Sequence, residues 1–182
     1  MLTPVSIYLR LRAKFKNCIL LESSDFHAGE NSFSFIGINA IAGIEIRDTS
    51  VIEFKLPGLT PEKINIKSPA EVPEQLWDFM QRFELESVAP KPANVAQGLF
   101  GYTTYDAVQF FDTIKLEDNK AGESVAIPLM RYRLYQYVIA FDHFKDELYI
   151  CENVINEIPS ELALVESLIR SKDVPSFPFK TT

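Results

Sequence analysis

The sequence predicts an α+β fold: a mainly antiparallel sheet with a few helices. Three observations carry this. Most apolar runs have the length and alternation of strands, and they are joined by short turn-like links rather than by regular helical crossovers. Only one helical pattern falls mid-chain and one near the end. The clearest pair of runs, 127–142 and 147–153, is separated by His143-Phe144-Lys145-Asp146, a turn length that leaves room for nothing but a hairpin.

Taken in order, Thr3-Pro4 is a helix start, with threonine as the cap and proline at the first helical position. Val5, Ile7, Leu9 and Leu11 alternate with polar residues in strand period behind it. The two signals conflict, and the reading is helix over 3–12. Residues 18–22 read as a strand, 24–31 as a polar loop, and 33–38 as a second strand closed by Gly37-Ile38-Asn39. Residues 40–47 and 51–55 form a hairpin across Asp48-Thr49-Ser50, and 63–66 is a weaker strand. Behind Ser68-Pro69, Val72, Leu76, Phe79, Met80 and Phe83 recur at helical spacing, which predicts a helix over 72–85.

After a connector bearing proline and alanine, 97–102 is a strand with two glycines that suit close backbone packing or a turn with positive φ. Tyr102, Tyr105, Phe110 and Phe111 read as core aromatics, with Asp106 as a tyrosine partner or helix start. Residues 113–126 are polar and acidic and read as a mobile excursion. The strands 130–142 and 147–153 follow. Leu162, Val165, Leu168 and Ile169 give a helix over 159–171, with Glu161 and Glu166 outward. The end, from Ser171, carries two prolines and reads as a linker leading onwards.

Composition narrows the function. With 182 residues and 47% hydrophobic content the chain suffices for one packed domain. Its net charge of −7 and lack of a basic stripe argue against nucleic acid and anionic membranes. No apolar run approaches the about 18 residues of a membrane helix, and no signal-peptide pattern opens the chain, so a cytoplasmic protein is expected. Cys18 and Cys151 read as reduced thiols. His27 and His143 read as solvated histidines. Asp112, Glu117 and Asp118 read as a solvated acidic loop rather than a metal site. Ser23 and Ser24 lack a nucleophile-elbow context. The one unusual boundary is Leu20-Leu21-Glu22-Ser23, where an apolar strand ends on a carboxylate and hydroxyls. That is a solvated strand end or the lip of a pocket for an ammonium or hydroxyl group.

Three segments in order resemble one family. Thr3-Pro4-Val5-Ser6-Ile7-Tyr8, then Leu20-Leu21-Glu22-Ser23 with Phe33-Ser34-Phe35-Ile36-Gly37, then Gly98-Leu99-Phe100-Gly101-Tyr102 with Tyr105-Asp106 look like the N-terminal region of anthranilate synthase component I. Ser32-Phe33 stand where that family usually has Arg-Tyr. The resemblance implies a partial domain of a larger two-layer enzyme fold. Residues 3–170 would be the regulatory and scaffold region, and 171–182 a linker towards an absent C-terminal chorismate-binding region.

The resemblance also implies that the whole enzyme converts chorismate to anthranilate and pyruvate with Mg²⁺, using ammonia from a glutamine amidotransferase partner. Tryptophan would inhibit it by binding a site that includes Leu21, Glu22 and Ser23. Glu22 and Ser23 are suitable acceptors for its ammonium. No catalytic, metal or cofactor site is expected in these 182 residues, which alone should be inactive. Two alternatives remain: the corresponding part of aminodeoxychorismate synthase component I, of the folate pathway, or a free-standing small-molecule-binding module.

Overall fold

A computed structural model describes residues 3–22, 32–85, 93–114, 116, 127–155 and 158–173. The elements are α1 (Pro4–Arg12), β1 (Ile19–Leu21), β2 (Phe33–Ile46), β3 (Val51–Lys55), β4 (Glu62–Asn65), α2 (Glu71–Met80), β5 (Phe100–Thr103), β6 (Met130–Asp142), β7 (Glu147–Glu152) and α3 (Leu162–Arg170). Short 3-10 turns occupy Ala93–Ala96 and Tyr105–Phe110. Every strand pair with a resolved register is antiparallel, so the expected α+β class holds.

The chain forms two compact units. The first lies within Met1–Ala40, Ala89–Gly98 and Tyr135–Thr182, the second within Ile41–Val88 and Leu99–Leu134. β2 and β6 each supply residues to both. In the first unit the strand order is β1-β2-β6-β7, and α1 packs on α3. Its core gathers Ile7, Leu11, Ile36, Ile38, Tyr137, Ile139, Val165 and Ile169. The cap at Thr3 wins over the strand-like alternation because it is reciprocal. Ser6 N–H donates to Thr3 Oγ1, and Thr3 N–H donates to Ser6 Oγ. Ile7 and Leu11 then share one helical face, four residues apart.

In the second unit the order is β4-β3-β2-β6-β5. Its core joins Ala42, Ile44, Ile46, Ile52, Phe54, Val72, Phe79, Ala107, Phe110 and Met130. Phe79 stacks on Phe54 at 5.5 Å and meets Phe83 edge-on at 5.3 Å. Gly101 is required by close packing: a Cβ there would lie 1.8 Å from the Arg131 carbonyl oxygen.

Four expectations need correction. Residues 33–46 are one strand, not two. Asn39 does adopt the positive φ that its turn signal suggested, 56°, but its Nδ2 donates to Gln136 Oε1 at 2.6 Å and the ladder continues. β6 gives Met130, Tyr132 and Leu134 to the second unit's core and Tyr137, Ile139 and Phe141 to the first unit's. Second, α2 ends at Met80; Phe83 reaches the core from the turn that follows. Third, of the four expected core aromatics only Phe110 is buried, while Tyr105 is 83% exposed. Fourth, His143 is exposed but engaged: it shares a 2.7 Å hydrogen bond with buried Ser34. Residues 174–182, His27, Ser24, Glu117 and Asp118 lie outside the described residues, as do most of 113–126.

Candidate functional site

The strand β1 is short, and its register fixes what surrounds its end. Leu20 pairs with Ile36 and Leu21 with Phe35. Leu20 and Ile36 pack in the first unit's core, so strand alternation places Leu21 and Phe35 on the opposite face. Phe33, two residues from Phe35, shares that face, and the two rings stack at 5.9 Å. Leu21, Phe33 and Phe35 are all half-buried. Glu22 follows directly beyond the strand and is exposed, so its carboxylate stands in water at the rim of an apolar, aromatic surface. The structure thus brings Leu21 and Glu22 to one edge; Ser23 lies outside the described residues.

Phe33 and Phe35 were missed as site residues, although the alternation Phe33-Ser34-Phe35-Ile36 carries the signal. A side-chain amino group meeting Glu22 would form a charge-assisted hydrogen bond, and a ring resting on the phenylalanines would find offset or edge-on packing.

Several other polar groups of this unit are committed within it. Gln136 Nε2 donates to Glu152 Oε1 at 3.3 Å and to the Pro159 carbonyl at 2.9 Å. Ser160 Oγ donates to Glu152 Oε2 at 2.9 Å, and the Glu161 N–H donates to the Tyr137 hydroxyl at 2.5 Å. Burial pushes the Tyr137 phenol upwards. The Cys18 thiol donates to the Phe15 carbonyl at 3.2 Å, and burial pushes it up to about 11 against the opposing Arg12 charge. Both cysteines are free. Arg10 is buried, with Nη1 donating to the Ile169 carbonyl at 2.9 Å and Nε without a partner. Among the described residues no three histidine, cysteine or carboxylate side chains gather where they could hold a metal ion. Among them, too, no helix is long and apolar enough to cross a membrane.

Compared with known proteins, the chain matches no family model. It does resemble a class, that of biosynthetic synthase components. The particular resemblance is to anthranilate synthase component 1. The chain is 28% identical over 167 residues to that protein of Lactococcus lactis, covering 92% of this chain and 33% of the relative. To that of Methanothermobacter marburgensis it is 27% identical over 156 residues, covering 86% and 30%. A crystal structure of anthranilate synthase component I from Streptococcus pneumoniae aligns with 92% of this chain and 33% of its own at 21% identity, with a TM-score of 0.48. The resemblance read from the sequence is borne out by these relatives. The chain spans about a third of their length.

Proposed function

We propose that the chain is the tryptophan-sensing N-terminal part of an anthranilate synthase component I. The observation that carries this reading is similarity to proteins of that name along nearly the whole chain. The apolar edge at Leu21, Phe33 and Phe35, with exposed Glu22 at its rim, supports it, because tryptophan needs a slot for indole and an acceptor for its ammonium. In this reading the chemistry belongs to the parts of the relatives that the chain does not span. Chorismate, Mg²⁺ and ammonia delivered by a glutamine amidotransferase act there. The exposed Trp77 and Tyr105 of the second unit suit a chain that packs against more protein. The protein works in the cytoplasm, in tryptophan biosynthesis.

The experiment joins these residues to the remaining two thirds of the Lactococcus lactis relative. Tryptophan inhibition is then compared between the parent fusion and its Ser23→Phe variant at fixed chorismate. Losing one hydrogen bond from the ammonium, a charged donor, weakens tryptophan about tenfold to a hundredfold, and the added ring weakens it further. Chorismate turnover and thermal stability stay near the parent values. Unchanged inhibition in a normally folded variant removes Ser23 from the site. Anthranilate formation by the 182 residues alone overturns the reading of a non-catalytic part.

A further inference from the structure

The second unit has a sheet face that its core does not use. Ile44, Ile46, Ile52, Phe54, Tyr132 and Leu134 point into the core, so alternation turns Glu45, Glu53, Arg131 and Arg133 the other way. On that face one carboxylate holds three guanidinium groups. Arg131 Nε and Arg133 Nη2 both donate to Glu45 Oε2, at 2.9 and 2.7 Å, and Arg47 Nη2 lies 2.8 Å from Oε1. Glu45 is only 5% exposed, whereas the side chains of Arg47, Arg131 and Arg133 are 67%, 38% and 24% exposed. The carboxylate forms the floor and the cations form the solvent-facing layer.

The charges there do not balance. Three guanidiniums against one carboxylate leave two formal positive charges in excess. Each guanidinium has five N–H donors, and each uses one on Glu45. The next carboxylate on the face, Glu53, pairs across the strands with Glu45 and is held from its far side by Lys63 at 3.3 Å. Gly43 opens the floor for Arg133: a Cβ there would fall 2.6 Å from Arg133 Cδ. Phe100 and Tyr102, half-buried, are the β5 register partners of Arg133 and Arg131, so two rings border the cations on the same face.

We propose that Arg131 and Arg133, with Arg47 at the edge, form a binding site for an oxyanion of the carboxylate or phosphate type. Glu45 is the positioning residue: it holds both β6 guanidiniums by a single oxygen and leaves their outer N–H groups for a planar or tetrahedral anion, the geometry that arginine recognises best.

The test measures thermal unfolding of the chain in inorganic phosphate, benzoate and chloride at matched ionic strength. Phosphate or benzoate raises the midpoint saturably above chloride. A larger response to benzoate identifies a carboxylate on an apolar body; a larger response to phosphate identifies a phosphoryl group. The Arg131→Gln/Arg133→Gln variant loses about tenfold or more in anion affinity. Glu45→Gln, which releases the two β6 guanidiniums from the oxygen that holds them, weakens anion binding although it raises the local positive charge, an outcome that charge attraction alone does not give. Equal midpoints in all three salts, or undiminished binding by the arginine variant, overturn the proposal. Should that variant not fold, the Arg131 and Arg133 Nε–Hε resonances of the unaltered protein decide: titrating shifts support the site, and static resonances with both anions overturn it.

Discussion

The two units join the polar side chains of their strands by different means. In the first, amides and a hydroxyl meet across β2, β6 and β7: Asn39 to Gln136, Gln136 to the Pro159 carbonyl, and exposed Ser160 to the Glu152 carboxylate. In the second, Glu45 meets three arginines. Neutral hydrogen bonds are short-ranged and nearly blind to salt, whereas an ion cluster partly open to water is screened within about a Debye length. The Glu45 cluster of the second unit should therefore respond to ionic conditions more strongly than the amide and hydroxyl bonds of the first.

The largest expected effect tests whether apolar packing or these polar groups dominates the second unit. Phe79 is fully buried and touches two other phenylalanines. Phe79→Ala should cost about 3–5 kcal/mol, the range for deleting a buried aromatic ring. Urea unfolding measures it. A loss under about 1 kcal/mol would show that the Phe54–Phe79–Phe83 cluster does not hold this unit together.

A smaller effect separates the two polar strategies. Glu45→Gln should cost about 2–3 kcal/mol at low salt, less than a fully buried pair because the arginines remain partly hydrated. High salt should shrink that cost, since it screens the repulsion left among Arg47, Arg131 and Arg133. Asn39→Ala should cost about 1–2 kcal/mol, from the lost bond to Gln136 and the left-handed backbone that alanine adopts poorly, and should not change with salt. Equal salt dependence of the two variants would erase the contrast between the units.

Much of the fold was legible because it rests on local signals. Thr3-Pro4 capped α1 as read, β6 spans 130–142 as read, and the turn at His143–Asp146 sits between β6 and β7. What escaped was set by long-range pairing. Gly37-Ile38-Asn39 looks like a strand end, and only the Gln136 amide, 97 residues away, explains why β2 runs on. The arginine cluster was invisible for the same reason. Arg131 and Arg133 lie 86 and 88 residues from Glu45 and meet it only once β2 and β6 pair. The edge at Leu21 and Glu22 came from resemblance; periodicity alone reads it as an ordinary strand end. The aromatic pair beside it needed the register Leu21 to Phe35.

The smallest effect concerns a thiol that the first unit keeps protonated. Cys18 lies in that unit, and burial lifts its thiol from 9.0 to about 11. A raised folded-state value means that the fold favours the protonated thiol. This contribution to stability is fully present below the unfolded value of 9.0 and is lost as pH rises through about 11. Tyr137, raised by burial from 10.0, acts in the same direction. The urea midpoint should therefore hold steady up to about pH 9 and fall above it, and Cys18→Ala should flatten the first part of that fall. At pH 8 the thiolate population is small, so Cys18 should react with a disulfide reagent much more slowly than the same thiol in the urea-unfolded chain, the two rates converging as pH approaches 11. A native Cys18 that reacts at the unfolded rate at pH 8 would mean that the turn after α1 admits water freely. The water-excluding interior of the first unit would then begin only at β1.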